Sequence, residues 1–595
     1  MAVVFCSLLP SYSILDHSRL LWPQTRRKRS QTMTPHLSAS LNSHEYLRVK
    51  DRRSAHYHSS IWDHRFIESL NSPYTYDRCT NQLEHLKREA KMIFKSTKET
   101  SILLRLIDSM QRLGVAYHFE DEIKEALDRV ALEVPDDLYS TALWFRLLRQ
   151  HAYQASSEVF NKFKNSSGGF MESLSQDHEG LLSLYEASHL GINGEDVLEE
   201  AKKFSVKHLK PLMGHLESDQ ADQVQHSLEI PSHWRTPRAE ARNFIDVYER
   251  DDAKSLHLLE LAKLDFNLVQ SVYQSDLREL SRWWRDLGFV EKLSFSRDRL
   301  MENFLWAFGI ISEPQFSKCR KGLTKFTCIL TAIDDIYDIY GSLDELERFT
   351  DAVDRWDIKA MDKLPEYMKI CYLALFNFAN ELAYDALKDH GMDIFPYIRK
   401  EWLNLCRSYM VEARWFYKGY TPTLDEYLRN AWTSVGGPAA MVHSYFLLGY
   451  TVNNGSSDCL KLGSELFYWS SLITRLSDDM GTSKAEMVRG DVAKSIQCHM
   501  NKAGVSEKQA REHIEGLVKD SWKKLNGECI KTSLPRPIVS MSLNMARTAQ
   551  FIFEHGDGIG TSEGVTKDRV MSLFVEPIPI EGFDRTVMQQ GITIF

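Results

Sequence analysis

Turn-forming residues are scarce in this chain of 595 residues, with Gly 29 and Pro 17, against usual shares of about 7% and about 5%. So few turns exclude a many-stranded barrel or sandwich and leave long helices. No run of about 18 apolar residues occurs, so no membrane-spanning helix is expected. No basic face stands out and the formal net charge is −9, which argues against nucleic acid as a partner. The nine cysteines include no C-x-x-C pair and their number is odd, a pattern of reduced thiols and not of a disulfide framework or zinc site. Acidic residues are missing from one region. Before Glu45 there is only Asp16, while Arg19, Arg26, Arg27, Lys28 and Arg29 stand among serines and threonines. Residues 1–48 therefore read as an organelle transit peptide. A secretory signal fits less well, because the basic cluster follows the apolar stretch.

What is present is helical periodicity. The length suggests more than one domain, since single cores stop growing at roughly 250–300 residues. From Tyr74 onward, stretches such as "HFEDEIKEALDRVALEV" and "DLYSTALWFRLLRQHAY" place apolar residues at three- and four-residue steps. Clean strand alternation is not seen. An all-α protein of two helical domains is expected, divided at the polar break Glu249–Ser255, with residues 49–255 before it and 256–595 after it.

The unusual residues lie in the second block. In "ILTAIDDIYDIYG", Phe326, Leu330, Ile333, Tyr337 and Tyr340 form the apolar stripe of one helix. Asp334, Asp338 and Asp335 sit at 0°, about 40° and about 100° on it, in one sector beside the stripe. Three carboxylates this close repel unless a divalent cation lies among them. Without His or Cys nearby, oxygen ligands favour Mg²⁺ or Mn²⁺. Downstream, in "RLSDDMGTSKAEMVRGD", Asp478, Thr482 and Glu486 stand at i, i+4 and i+8 within an arc of about 80°. This is a second hard-cation site. Arg475 shares the arc and implies an anion beside the metal. Mg²⁺ readily shares its shell with phosphate oxygens, so two oxygen-rich helices with basic neighbours describe a diphosphate clamp. Arg297, Arg299 and Lys494 are the further basic candidates.

These motifs, "RDR", "DDIYD" and "DDMGTSKAE" in that order, together with "RRSAHYHSSIW" near the N-terminus, closely resemble a plant class I terpene synthase of the monoterpene subgroup. The resemblance covers the chain from Arg52 to about Ile580. It implies a C-terminal catalytic α-bundle and an N-terminal relic helical domain resembling an α-barrel. It implies three Mg²⁺ or Mn²⁺ ions, with Asp334 and Asp338 as direct ligands, Asp335 in support, and Asp478, Thr482 and Glu486 on the remaining ion. Arg297, Arg475 and Lys494 are implied on the diphosphate, with Arg299 beside them. Arg52, Arg53 and Trp62 match an R-R-x8-W element that covers the active site. The D-x-D-D acid motif of the other reaction class is absent from the first domain, which is therefore expected to be catalytically silent.

The chemistry expected is ionisation of a prenyl diphosphate, most simply geranyl diphosphate in a plastid stroma. The resulting allylic cation needs a dry pocket with π faces. Trp306, Phe308, Tyr337, Tyr409 and Phe446 are nearby aromatics, with Trp306 and Tyr409 the pocket candidates by resemblance. Thr327 is a candidate for positioning water. Gly436-Gly437-Pro438 interrupts an apolar helix and frees carbonyls of the preceding turn. Cyclisation through the α-terpinyl cation to limonene- or terpineol-type products is expected. Acyclic products, or farnesyl diphosphate as substrate, are the alternatives. A chain-elongating prenyltransferase would carry a second D-D-x-x-D where this chain has "DDMGTSKAE". A non-catalytic descendant would not need both clusters intact. The protein is expected to act as a monomer or weak homodimer.

Overall fold

The computed structural model describes residues 52–450, 460 and 464–581. The expected transit peptide lies outside them. Among the described residues no strand occurs, and the only β-type pairing is an isolated bridge between Lys164 and Phe170. The all-helical expectation holds. Of the paired arginines, Arg53 belongs to the compact unit that holds the helices, and Arg52 ends the unit before it.

Eight helices position the cavity considered below: α1 (Leu256–Leu287), α2 (Leu300–Ile310), α3 (Ser317–Asp335), α4 (Phe395–Tyr417), α5 (Leu424–Ser434), α6 (Gly437–Leu447), α7 (Glu465–Arg489) and α8 (Arg536–Phe553). The polar break before α1 ends one helix at Arg250 and starts another, with the Ser255 side chain accepting from the Leu258 N–H as the N-cap. One hydrophobic core nevertheless continues across this break, from Trp62 to Ile578. Helix α1 explains the continuity. It packs against the N-terminal helices as well as against α2 and α3. Its buried Asn267, Gln270 and Gln274 donate to carbonyls of Ile578, Leu573, Glu576 and Phe574. The C-terminal segment is thereby tied to the middle of the chain.

Two local irregularities matter for function. Helix α3 ends at Asp335 and passes into a π turn, Ile336–Tyr340, so the stripe expected on one uniform helix widens at Tyr337. Such turns recur at functional sites because they re-aim side chains. Between α5 and α6, Gly436 adopts φ 80°. A Cβ there would lie 2.3 Å from Leu330 Cδ1, and one on Gly437 would lie 2.3 Å from Ser471 Oγ. Both glycines let α3 and α7 approach the break closely, and Pro438 starts the new helix within its first turn.

Candidate active site

One cavity of about 150 Å³ gathers most of the expected residues. Arg297, Trp306, Thr327, Asp334, Asp338, Tyr409, Gly436, Gly437, Arg475, Asp478, Thr482, Glu486 and Lys494 all line it. Its apolar wall includes Ile310, Phe326, Leu330, Ile339, Met545 and Phe553. Of the aromatic candidates, Phe308, Tyr337 and Phe446 are core residues. Trp306 and Tyr409 reach the cavity.

The first acidic cluster is organised by Arg297. Its guanidinium contacts Asp334 Oδ2 at 2.6 Å and Asp335 Oδ1 at 2.9 Å. Asp335 does not share the cavity with its neighbours, contrary to the single-sector expectation. It is fully buried and accepts from the Arg297 backbone N–H and from Ser296 Oγ, both at 2.9 Å. The 100° step from Asp334 turns it into the 296–297 loop. Asp338 sits on the π turn, and the carbonyl it leaves free at the helix end accepts from Arg53 Nη1 at 2.8 Å.

The second cluster lies along α7 as its spacing required. Arg475 donates to Asp478 Oδ2 at 2.8 Å and to the Ala431 carbonyl at 3.1 Å, so one carbonyl of the α5 break is already taken. Thr482 Oγ1 donates to the Asp478 carbonyl at 2.9 Å, leaving its lone pairs to face the cavity. Lys494 Nζ stands 3.4 Å from Glu412 Oε2 and 3.9 Å from Asp338 Oδ2, held on α4 and facing the first cluster.

The donor set fits divalent cations. Glu486 Oε2 is buried without a hydrogen-bond partner. Burial, and then neighbouring carboxylates, push the Asp338 and Asp478 carboxyls up to about 7 and that of Glu486 to about 8. Burial outweighs the Arg475 and Lys494 charges beside these acids, and a divalent cation among them would favour their ionised forms. Among the described residues no three His, Cys, Asp or Glu side chains converge on one point, so a bound ion would complete its shell with ligand and water oxygens, as Mg²⁺ does.

Arg299 departs from its expected catalytic place. It is 1% exposed and does not line the cavity. Its guanidinium donates to the carbonyls of His58, Asp298, Ile559 and Gly560, so it positions the N-terminal segment and the 557–560 loop. Trp62 likewise anchors that segment, with Nε1 donating to Glu302 Oε1 at 3.0 Å. Arg53 Nη2 reaches Asp491 Oδ1 at 2.7 Å, and its guanidinium lies 4.2 Å above the Phe416 ring. Thr327 donates to the Leu323 and Thr324 carbonyls, each at 3.0 Å. Sequence reasoning missed Tyr57, Glu412, Arg489, Asp491 and Asp557, which also line the cavity, and Asp479, buried behind Asp478. Asp479 had a signal, since it repeats the paired aspartates of α3. Arg489 and Asp491 also had one, since they end the stretch that begins at Arg475 and Arg489 falls in the same arc as Asp478 and Thr482, whereas Tyr57, Glu412 and Asp557 sit on remote segments and had none.

Comparison with known proteins identifies the family. Residues 61–228 match the family model described as the terpene synthase N-terminal domain, and residues 285–524 match the terpene synthase metal-binding domain. The chain belongs to the terpene synthase family, and its members are lyases acting on prenyl diphosphates. Trans-ocimene synthase, chloroplastic, from Litsea cubeba is 60% identical over 93% of this chain and 95% of its own length. A limonene synthase structure with 2-fluorolinalyl diphosphate is 42% identical, with a TM-score of 0.87 over 89% of this chain and 100% of that one. Isoprene synthase from Populus x canescens, solved with three Mg²⁺ ions and dimethylallyl-S-thiolodiphosphate, is 42% identical, with a TM-score of 0.81 over 87% and 99%. Divalent metal use follows from the family's metal-binding domain.

Proposed function

We propose that this protein ionises geranyl diphosphate in a plastid and releases a monoterpene. The observation that carries the reading is the meeting of two carboxylate clusters, four basic side chains and an apolar wall in one cavity. Asp334 and Asp338 would hold one part of a three-Mg²⁺ set, and Asp478, Thr482 and Glu486 the other; Mn²⁺ is the alternative ion. Bound divalent ions supply charge neutralisation on the departing diphosphate. Arg297, Arg475 and Lys494 donate to the same oxygens. Each is already fixed by a carboxylate or carbonyl, so little reorganisation opposes the developing charge. Tyr57 and Arg53 bring the N-terminal segment to the cavity mouth, where it excludes water from the cation. Aromatic faces of Trp306 and Tyr409 then border the hydrocarbon. The plastid address rests on the composition of residues 1–48 and on the chloroplastic relative.

Two product readings each have an observation behind them. Arg53, fixed on the Asp338 carbonyl and on Asp491, suits a diphosphate held through two ionisations, and hence cyclisation through a linalyl intermediate and the α-terpinyl cation. The 60% identity to an ocimene synthase favours loss of a proton from the acyclic cation. Gas chromatography of products from the purified chain lacking residues 1–50, given geranyl and farnesyl diphosphate in parallel with Mg²⁺, tests all of this. Monoterpene from the C10 substrate is expected. Faster turnover of farnesyl diphosphate overturns the size class, and the ring content of the product separates the two readings.

A further inference from the structure

A second cavity, of about 360 Å³, lies where the N-terminal helices meet α1 and α8, away from the acidic clusters. Seven arginines line it against three acidic residues, Asp108, Glu240 and Glu313. Five of the guanidinium groups are answered by carboxylates. Arg146 holds Asp108 at 2.8 Å, and Arg149 holds Glu195. Arg235 and Arg112 share Glu240 at 2.8 and 3.5 Å, and Arg238 holds Asp265 at 2.8 Å. The other two hydrogen-bond to neutral groups, with the Glu120 carboxylate acting on Arg536 only as a weaker, through-space charge. Arg547 donates to the His233 carbonyl at 2.7 Å and to Asn544 Oδ1 at 2.9 Å, with its second nitrogen 3.3 Å from His233 Nδ1. Arg536 donates to the Gln150 carbonyl at 2.9 Å.

Further groups at the cavity lack partners. The Nε atoms of Arg146 and Arg238, side chains on residues 7% and 5% exposed, have none, and neither does Gln150 Oε1. Burial with no carboxylate beside it pulls the Arg547 guanidinium down to about 10. Burial pushes the Glu313 carboxyl up. A shielded cation left uncompensated is costly. Two surplus guanidinium groups with free N–H donors match a doubly charged oxyanion better than a single carboxylate, because planar forks engage its oxygens in pairs.

We propose that this cavity binds a phosphate-type oxyanion, inorganic phosphate or diphosphate, without a metal. Arg536 and Arg547 lie on α8, while Arg112, Arg146 and Arg149 lie on helices of the N-terminal block, so the anion links the two blocks. The test is calorimetric titration of phosphate and, separately, diphosphate into the full chain in EDTA. One site per chain is expected, weakened at least about tenfold by Arg536→Gln and by Arg547→Gln, since each removes a charge-assisted donor. The control Arg475→Gln, in the acidic cavity, should leave it intact. Equal affinity for both anions assigns recognition to charge alone, and tighter diphosphate binding assigns the site to the anion that the proposed reaction releases. Should Arg547→Gln fail to fold, Arg536→Gln at the exposed rim carries the test. Absence of metal-free binding by both anions, or binding lost in Arg475→Gln and retained in Arg536→Gln, overturns the proposal.

Discussion

Helices α3 and α7 each carry two adjacent aspartates, and the members of each pair have opposite surroundings. Asp334 and Asp478 line the cavity, while Asp335 and Asp479 are fully buried. The buried members serve alike. Asp335 accepts from the backbone N–H of Arg297. Asp479 accepts from the backbone N–H of Ser495, next to Lys494, and from Tyr427 Oη at 2.9 Å. In both helices the outer carboxylate faces the cavity, and the inner one fixes the segment that delivers a basic side chain. The clusters differ in their cations. Arg297 bridges the outer and inner carboxylates from a loop, whereas Arg475 does so from one turn back on its own helix.

The comparison can be broken by separating turnover from stability. The largest effect is expected from the outer residues. Asp334→Ala or Asp338→Ala should lower turnover at least about 10²-fold by removing charge stabilisation used in the transition state, and excess chelator should abolish it. Wild-type rates in chelator would refute metal dependence. The outer position of α7 should show the converse in stability. The Asp478 carboxyl is pushed up to about 7, so its ionised form is unfavourable in the folded chain above that pH. Asp478→Asn should therefore unfold at equal or higher urea than wild type at pH 8 without metal, although turnover collapses.

Inner residues should behave otherwise. Asp335→Ala and Asp479→Ala each remove a carboxylate from a buried guanidinium and an acceptor from a backbone N–H, at a cost of about 3 kcal/mol in chemical denaturation, with turnover falling alongside. A stable but inactive Asp335→Ala would make the two positions equivalent and end the distinction. A smaller effect, about tenfold in kcat/KM, is expected for Arg53→Ala, which frees the Asp338 carbonyl and Asp491. If the cyclic reading holds, its products shift towards acyclic ones from geranyl diphosphate, while cyclisation of supplied linalyl diphosphate survives. The smallest stability change should come from Tyr409→Phe. The Tyr409 hydroxyl is buried without a partner, so its removal should be neutral or stabilising by up to about 1 kcal/mol. A clear loss of stability would mean that the hydroxyl has an acceptor.

Much of the site could be read from spacing. The i, i+4, i+8 pattern of Asp478, Thr482 and Glu486 places them on one face by helix geometry alone, and the structure puts all three in the cavity. The glycine-proline break also showed directly, because those residues cannot continue a helix unchanged. Periodicity shows which residues share a face, but not which neighbour that face meets. Asp335 therefore seemed a third cavity carboxylate, and Asp479 went unremarked. Arg299 seemed catalytic beside Arg297, yet its helix-start position turns it towards four carbonyls from three segments.

The sequence alone determined the helices, the break before Leu256, the acidic arc of α7 and the scarcity of turns that argues for an all-helical fold. These are local properties, set by backbone propensity and by side-chain spacing within a few turns. Only the tertiary structure decided which aspartate of each pair faces the cavity, that Glu412 tethers Lys494, that Arg53 closes on the Asp338 carbonyl, and that Arg536 and Arg547 share a cavity with arginines several hundred residues earlier. Those relations depend on the packing of distant helices, which no local pattern encodes.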